Sequence, residues 1–403
     1  MPHEPSAQPV AMPTERRAGC PFDPAHELAT IQERQPLARL SFPDGHTGWL
    51  ATGHSAVRAL LADPRISVRY ELLHYPYPDG PEFPLPPAPV GDMLGLDAPQ
   101  HTRFRRKLMG KFTVRRMRQL SERVAEITEE HLDALERSGP GTDLVEAYAR
   151  PIPALMICEL LGVPYADRDA FQGNVTTMFT SDAPMEARTA AMQGIDEFIR
   201  GLVREKRSAP ADDLLSDLTQ DPDLSEDELT GLGGLLLAAG LDTTANMIAH
   251  GAFALLSHPK QAELLRTEPD LADRAVEELM RYLTVAGTTI RSALADIEID
   301  GQVIRAGETV VLSLDAANRD PAKFADPDSL DLRRETAGQL GFGHGAHQCL
   351  GQQLARVELK IAMPALFTRF PTLRLAVAPE AVRLRTNMNI YGVVNLPVAW
   401  DEE

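Results

Sequence analysis

Amphipathic helical patterns, separated by short extended segments, run through most of the chain. Between Met117 and Leu135 apolar residues recur every three or four positions, and Gly139–Pro140 ends the run. The same period predicts further helices over residues 144–161, 167–181, 186–207, 225–256, 269–283 and 350–369. The helix that begins at Ser225 opens with the sequence SEDE, which matches a capping box. The pattern therefore predicts a mainly α fold.

A small β portion accompanies the helices. Residues 37–52 predict a hairpin that turns at Asp44–Gly45, and alternating patterns predict strands at 289–299 and 302–314. Short strands are also expected over 372–400. The proline-rich stretch 75–99 predicts a long irregular loop, which in a compact protein is usually functional or disordered. We expect one catalytic domain over residues 25–403, preceded by a Pro-rich, loosely held tail over residues 1–24.

The composition is that of a globular protein, because 43% of the 403 residues are hydrophobic and 24% are charged. No run approaches the roughly 18 apolar residues of a membrane-spanning helix, and the N-terminus lacks the apolar core of a signal peptide. The three cysteines are too few for a disulfide framework. We therefore expect a cytoplasmic protein, and the net charge of −18 argues against a nucleic-acid partner.

The charge is uneven along the chain, because residues 103–118 contain eight cations and no acid. These cations are Arg103, Arg105, Arg106, Lys107, Lys111, Arg115, Arg116 and Arg118. One interpretation is the solvated face of a helix. The other is a binding surface for an acidic partner, or for the carboxylates of a bound ligand.

The glycine-rich segment FGHGAHQCLG, residues 342–351, carries the strongest chemical signal. Cys349 comes just before a predicted helix, whose free N–H groups and dipole would stabilise a thiolate. Gly343, Gly345 and Gly351 leave room for a flat, bulky group to approach the backbone. These features predict a thiolate that forms one strong bond to a metal ion.

Two other interpretations of this segment stay open at the level of sequence. Cys349 can be a buried structural cysteine beside an ordinary turn. Alternatively, His344, His347 and Cys349 can be zinc ligands. Structural zinc sites usually have four ligands in paired units, however, and no second cluster is visible in the sequence.

The segment AAGLDTTAN, residues 238–246, lies in the middle of the longest apolar helix. Asp242 would be costly to bury there without a partner, and the Thr243 hydroxyl can bond back to the carbonyl of Ala239 and bend the helix. A locally opened helix with an acid and a hydroxyl could hold a small ligand and relay protons. Alternatively, one helix ends at Gly240 and the next is capped by Asp242.

Two weaker signals complete the set. Glu278 and Arg281 lie three residues apart in a predicted helix, a spacing that is also common for an exposed ion pair. His101 and Arg105 lie four apart, so they would share one helix face and could hold an anionic group. Arg291 lies in a predicted strand and, taken alone, could be an ordinary surface residue.

In this order and spacing the segments resemble a bacterial cytochrome P-450, from about residue 20 to about residue 400. FGHGAHQCLG resembles the haem-binding loop of that family, AGLDTT its oxygen-binding helix and ELMR its E-x-x-R motif. The segments ANMIAHGAFALLSHP and NLPVAW are further similar to the soluble cytochromes P-450 of actinomycetes that tailor secondary metabolites. The resemblance implies a haem b group between the long central helix and the cysteine loop.

The resemblance also implies roles for individual residues. Cys349 would be the axial ligand of the haem iron, and Asp242 and Thr243 would be the acid–alcohol pair that delivers protons during oxygen activation. The other haem-binding residues would be His101, Arg105, Arg291 and His347 at the propionates, and Phe342, Gly343 and Gly351 in the cysteine loop.

Glu278 and Arg281 would be structural, tying their helix to the irregular segment before the cysteine loop. The family usually completes this tie with an arginine in a P-x-R-F-like stretch. Ser329 stands at that place here, so Arg333 or Arg334 would have to replace the missing arginine.

By the same resemblance, the substrate pocket would be lined by the 75–96 loop and by Leu235, Ala238, Ala239, Val285, Gly287, Thr289, Asn389 and Ile390. These residues are mostly small or apolar, so we expect a monooxygenase acting on a largely hydrophobic molecule such as a macrolide or another polyketide. Electrons would come from NAD(P)H through a ferredoxin reductase and an acidic ferredoxin. The ferredoxin would dock at Arg103, Arg106, Lys107 and Lys111.

The alternative is a haem-binding module of the same fold that does not oxygenate. The acid–alcohol pair argues against it, because a protein that only binds has no need of a proton relay.

Overall fold

The computed structural model describes residues 8–17, 19–78, 84–111, 114–179, 184–385 and 390–401. The α-helices are α1 (His26–Arg34), α2 (His54–Ala62), α3 (Gln100–Met109), α4 (Val114–Ser138), α5 (Pro151–Leu161), α6 (Arg168–Phe179), α7 (Met185–Ser208), α8 (Leu214–Thr219), α9 (Glu226–Ser257), α10 (Pro259–Thr267), α11 (Ala272–Leu283), α12 (Leu314–Ala317) and α13 (Gln352–Arg369). The strands are β1 (Leu37–Ser41), β2 (Thr47–Ala51), β3 (Ile66–Ser67), β4 (Thr288–Ala293), β5 (Ile297–Ile299), β6 (Gln302–Ile304), β7 (Thr309–Ser313), β8 (Arg374–Leu375), β9 (Leu384–Arg385), β10 (Gly392–Val393) and β11 (Val398–Ala399). The mainly α fold with a small β portion is therefore confirmed.

Helix α9 runs through the middle of the helical part and packs against α5, α7, α11 and α13. It begins at the predicted capping box, in which the Ser225 hydroxyl accepts from the Glu228 N–H and the Glu228 carboxylate accepts from the Ser225 N–H. By length and composition alone α9 could cross a membrane, but most of it is buried inside the protein. It therefore serves as the central core helix of this fold.

The main sheet has five strands in the order β1-β2-β7-β4-β3. Strands β2 and β7 are parallel and the other pairs are antiparallel, including the predicted hairpin β1–β2. Each of the two predicted strands after α11 is interrupted. The turn at Asp300–Gly301, with φ of 50° and 71°, joins β5 and β6 into a separate small hairpin. Strands β4 and β7 alone join the main sheet.

The N-terminal segment packs against both parts of the protein. Val10 lies beside strand β1: its N–H donates to the carbonyl of Arg39 and its carbonyl accepts from the N–H of Ser41, at 2.9 and 2.8 Å. Phe22 is buried, and its ring centroid lies 4.9 Å from that of Phe253 on α9. The N-terminal segment is therefore attached to the protein at Val10 and Phe22, although many of its residues are exposed.

Candidate active site

Cys349 lies in a tight loop between a one-turn 3-10 helix and α13. Gly343 and Gly345 have φ of 68° and 76°, a left-handed conformation that favours glycine. A Cβ atom at Gly345 would lie 2.3 Å from the backbone oxygen of Leu61, so no larger residue fits there without movement. The loop is closed by a hydrogen bond of 2.9 Å from the Cys349 N–H to the carbonyl of Phe342.

The Cys349 thiol is accessible although protein surrounds it on most sides, so its sulfur borders an internal opening. Burial raises the pKa of the thiol, and the N–H groups of Gly351 and Gln352 and the Arg105 guanidinium only partly oppose this effect. The predicted N–H donors are therefore present and favour the thiolate, although burial outweighs their effect on the pKa. A bound metal ion would deprotonate the sulfur.

Four basic side chains lie together beside the cysteine loop: His101 and Arg105 of α3, Arg291 of β4, and His347. The imidazole centroids of His101 and His347 are 3.9 Å apart. Burial, reinforced by the charges of His101, Arg291 and Arg105, lowers the pKa of His347 to about 3. Burial likewise lowers the pKa of His101 and Arg105, and that of Arg291 to about 10.

This cluster lacks the anion that would neutralise it. Within the described residues none of its four members forms an ion pair with a carboxylate, and His101 Nε2 is buried without a hydrogen-bond partner. A cavity of about 680 Å³, lined by His101, Arg291 and His347, opens beside it. Arg291 donates to the Thr289 hydroxyl and to the Ile290 carbonyl, which are neutral acceptors. A cluster of basic side chains without a carboxylate partner suits a ligand that carries several carboxylates. A haem group, which carries two propionates, would fit this donor set.

Asp242 and Thr243 lie in an uninterrupted stretch of helix α9. The helix is continuous through Gly240, so the interpretation of Asp242 as a helix cap is wrong. Ala238 and Ala239 are exposed although they lie halfway along a core helix, so this turn borders open space. As predicted, the Thr243 hydroxyl donates to the Ala239 carbonyl, at 2.8 Å.

The carboxylate of Asp242 is buried and paired with a residue that the sequence did not reveal. Arg385 Nη1 lies 2.9 and 2.8 Å from its two oxygens. Asn246 Nδ2 also donates to the Asp242 carbonyl and to its Oδ1, at 2.8 and 3.2 Å. No local pattern could have indicated Arg385, because it lies 143 positions further along the chain.

Glu278 and Arg281 form a fully buried ion pair, so the interpretation of an exposed pair is wrong. Two hydrogen bonds of 2.7 and 2.9 Å join the side chains. Arg334 adds a third member, because its Nε lies 3.1 Å from Glu278 Oε1. Arg333 instead pairs with Glu268 at the surface. Arg334 thus contacts the glutamate that an arginine at position 329 would have been expected to reach.

The residues predicted to line the substrate pocket differ in accessibility. Ala238 and Ala239 are exposed, and Leu235, Gly287, Thr289 and Ile390 are half-buried. Val285 is only 3% exposed and packs in the main hydrophobic core, so it offers little surface to a ligand. Asn389 lies outside the described residues.

Half of the cations in the basic stretch 103–118 are paired with acids within the protein. Arg103 pairs with Glu228 at 2.6 Å and Lys107 with Asp221 at 2.5 Å, which ties α3 to the segment before and at the start of α9. Arg116 and Arg115 pair with Asp217 and Asp212 at 2.9 Å. Four of the eight cations are therefore joined to acids of the same chain, whereas Arg105, Arg106, Lys111 and Arg118 form no ion pair within the described residues. Binding of an acidic partner to the remaining cations stays a prediction.

The zinc interpretation finds no support, because the described residues contain no group of three or more His, Cys, Asp or Glu side chains that could hold a metal ion. The imidazole of His347 packs against that of His101, at an interplanar angle of 33°.

Comparison with known proteins agrees with this geometry. Residues 169–381 match the family model "Cytochrome P-450". The chain is 47% identical to cytochrome P-450 105C1 of a Streptomyces species, over 94% of this chain and 96% of that protein. It is 43% identical to pentalenic acid synthase of Streptomyces avermitilis, over 97% and 98% of the two chains. The crystal structure of CYP105P1 in complex with filipin I superposes with a TM-score of 0.90 at 42% identity, covering 98% of this chain and 100% of that one.

These relatives share the whole length of the chain, its fold and the class of chemistry that the cysteine loop and the basic cluster support. The resemblance drawn from the sequence is confirmed, and haem is the cofactor that this class of enzyme uses. The chain belongs to the cytochrome P-450 family of haem-dependent monooxygenases.

Proposed function

We propose that the protein inserts one atom of dioxygen into a largely hydrophobic small molecule, by hydroxylation or epoxidation, during the tailoring of a secondary metabolite. For hydroxylation, the substrate R–H, O₂, two electrons and two protons give R–OH and H₂O. The observation that carries the proposal is the accessible Cys349 sulfur beside four basic side chains that form no ion pair with a carboxylate of the described residues. Relatives named pentalenic acid synthase and a relative bound to filipin I support the substrate class.

Each proposed residue has a separate task. His101, Arg105, Arg291 and His347 would hold the two propionates, and Cys349 would ligate the iron. When bound, haem with a thiolate ligand supplies the electron-rich iron at which dioxygen is activated. Asp242 would take up protons from solvent, and the Thr243 hydroxyl would orient them towards the oxygen site. Leu235, Ala238, Ala239 and Ile390 would give the substrate small and apolar contacts.

The absorption spectrum of the reduced protein under carbon monoxide tests the cofactor site. We expect a strongly red-shifted Soret band from the wild type and its loss in Cys349→Ala. Cys158→Ala is the matched control, because Cys158 is buried in the helical core and its variant should keep the band. A Soret band at the ordinary position in the wild type would exclude thiolate ligation.

Oxygen consumption separates the oxygenase from the alternative, a haem-binding module of the same fold. With NADPH, ferredoxin and ferredoxin reductase, the wild type should consume oxygen faster when its substrate is added. In Thr243→Ala we expect consumption to continue and to release hydrogen peroxide, because the hydroxyl that orients protons is missing. A wild type that consumes no oxygen under these conditions would favour the binding module.

We further propose that an acidic ferredoxin delivers the electrons at the α3 side of the cysteine loop, in a cytoplasmic setting without a membrane or nucleic-acid partner. This proposal is supported by Arg105 of α3, which is close enough to the Cys349 thiol for its charge to lower the pKa of that thiol. Arg103 and Lys107 already pair with Glu228 and Asp221, so they contribute little charge to a partner. The candidates therefore reduce to Arg106, which is exposed, and Lys111, which is half-buried.

Charge reversal tests this surface. Arg106→Glu/Lys111→Glu should slow reduction by ferredoxin, and more so at low ionic strength, without changing the spectrum of the bound haem. Arg137→Glu/Lys260→Glu alters the net charge equally at exposed positions in α4 and α10 and serves as the control. Equal reduction rates in the two double variants would reject docking at α3.

A further inference from the structure

A buried ion pair joins the proposed proton donor to the C-terminal part of the chain. Arg385 contacts both carboxylate oxygens of Asp242, and the two side chains are only 9% and 10% exposed. We propose that Arg385 is a positioning residue for oxygenation, which holds the Asp242 carboxylate and sets when it can pass a proton towards Thr243. This inference rests on the function proposed above.

A second contact fixes the geometry of the pair. Arg385 lies opposite Gly392 in the β9–β10 hairpin, and a Cβ atom at Gly392 would lie 2.1 Å from Asn246 Oδ1. A larger residue at 392 would therefore displace the Asn246 side chain. Asn246 itself donates to the carbonyl and to Oδ1 of Asp242. The hairpin thus touches α9 at two points one helical turn apart, and both act on the same carboxylate.

The segment that carries Arg385 also carries a residue of the proposed substrate pocket. Ile390 lies between β9 and β10 and is paired through a backbone bridge with Ala286, just before β4. A substrate that contacts Ile390 would press on the strand pair that bears Arg385. Arg385 and this pocket residue therefore belong to one structural unit.

Proton transfer requires this pair to open. Both oxygens of Asp242 accept from the guanidinium, whereas a proton carrier needs one oxygen free to meet solvent. In the transfer, Asp242 takes a proton from water, gives it up on the Thr243 side and returns to the carboxylate. Arg385 keeps its own charge throughout, because a guanidinium does not lose its proton in this range of pH.

A double-mutant cycle tests the role of Arg385 in the haem-loaded protein. The variants are Arg385→Gln, Arg385→Lys, Asp242→Asn and Asp242→Asn/Arg385→Gln. Arg374→Gln is the control, because Arg374 lies in the neighbouring strand β8 and pairs with Asp401 at the surface. NADPH oxidation, peroxide release and the solvent isotope effect are measured with ferredoxin and its reductase, so no substrate needs to be known.

We expect Arg385→Gln to lower the oxidation rate about tenfold and to change the solvent isotope effect, with partial recovery in Arg385→Lys. In the Asp242→Asn background Arg385→Gln should have no further effect, because the group through which it acts is gone. The midpoint temperature of thermal unfolding provides a measurement that does not depend on catalytic turnover. Each single variant should melt below the wild type, and the loss in the double variant should be smaller than the sum of the two.

Additive effects in the cycle, or wild-type kinetics in Arg385→Gln, would overturn the role of Arg385. These outcomes differ from a failure of the proposed function, in which the wild type itself would lack the red-shifted carbon monoxide band. If Arg385→Gln does not fold, Arg385→Lys and Asp242→Asn complete the comparison, because lysine keeps the charge but not the planar guanidinium.

Discussion

Replacing Gly231 by alanine would test how the loop over residues 84–96 is held against α9. A Cβ atom at Gly231 would lie 2.0 Å from the backbone oxygen of Val90 and 2.9 Å from Cα of Gly91. Gly91 has φ of 86°, so both sides of this crossing require glycine. We expect Gly231→Ala to push the loop away from α9 by about 1.4 Å, which restores an ordinary contact distance.

Gly234 on the same helix provides the matched control, because a Cβ atom there would meet nothing within 4 Å. Both alanine substitutions gain about 1 kcal/mol of helix propensity, so the difference between the two variants isolates the crossing. Overpacking of this kind costs about 1–3 kcal/mol. That cost corresponds to a roughly 5- to 150-fold larger population in which the loop is displaced.

Limited proteolysis with thermolysin measures this population. The loop carries apolar cleavage sites, among them the exposed Val90 and Leu94, and slow cleavage follows the population of the open form. We expect Gly231→Ala to be cut within residues 84–96 at least about 5 times faster than Gly234→Ala. The carbon monoxide spectrum should be the same in both variants. Equal cleavage rates would refute the proposed crossing as the point that holds the loop.

Three further outcomes concern buried polar groups. Burial raises the pKa of Glu358 to about 8, above its ordinary value, so the folded protein binds this proton more tightly than the unfolded chain does. The protein should therefore lose a few kcal/mol of stability as the pH rises from about 5 to 8. Glu358→Gln should remove this loss, which is checked by measuring the free energy of unfolding at both pH values. Arg334→Gln leaves Glu278 with one fewer buried partner and should cost about 3 kcal/mol of stability. The exposed Arg333→Gln should cost about 1 kcal/mol or less. Similar melting temperatures of the two variants would contradict the contact between Arg334 and Glu278. His101→Phe removes a buried donor from the propionate cluster and should speed haem transfer to apomyoglobin, and an unchanged transfer rate would remove His101 from the site.

Chemistry made by residues close together in the chain was predictable from the sequence. The cysteine loop is one such case, because its glycines, its thiol and the N–H groups of the next helix lie within ten residues. The capping box at Ser225 and the back-bond of Thr243 are others, since each joins groups three or four residues apart. The longer helices were also predictable, because their apolar stripes repeat over several turns.

Short elements were harder to predict. Helices α8 and α12 have six and four residues, too few for a periodic pattern to emerge, and they form because their apolar side chains are covered by neighbours. The split of the predicted strands after α11 has the same cause. Only tertiary pairing decides that β7 joins β2 and β4 while β5 and β6 pair with each other.

The charged residues show most clearly where sequence reasoning stops. Arg103 and Arg106 are neighbours in the same basic stretch, yet one is joined to Glu228 and the other is exposed. The sequence indicated that Asp242 would be costly to bury without a partner. The guanidinium that compensates its charge comes from a strand 143 positions away. A charged residue in an apolar helix therefore predicts that a partner must exist, and only the fold identifies that partner. At this site the distinction has a functional consequence, because the partner of Asp242 is the residue we propose to control its proton.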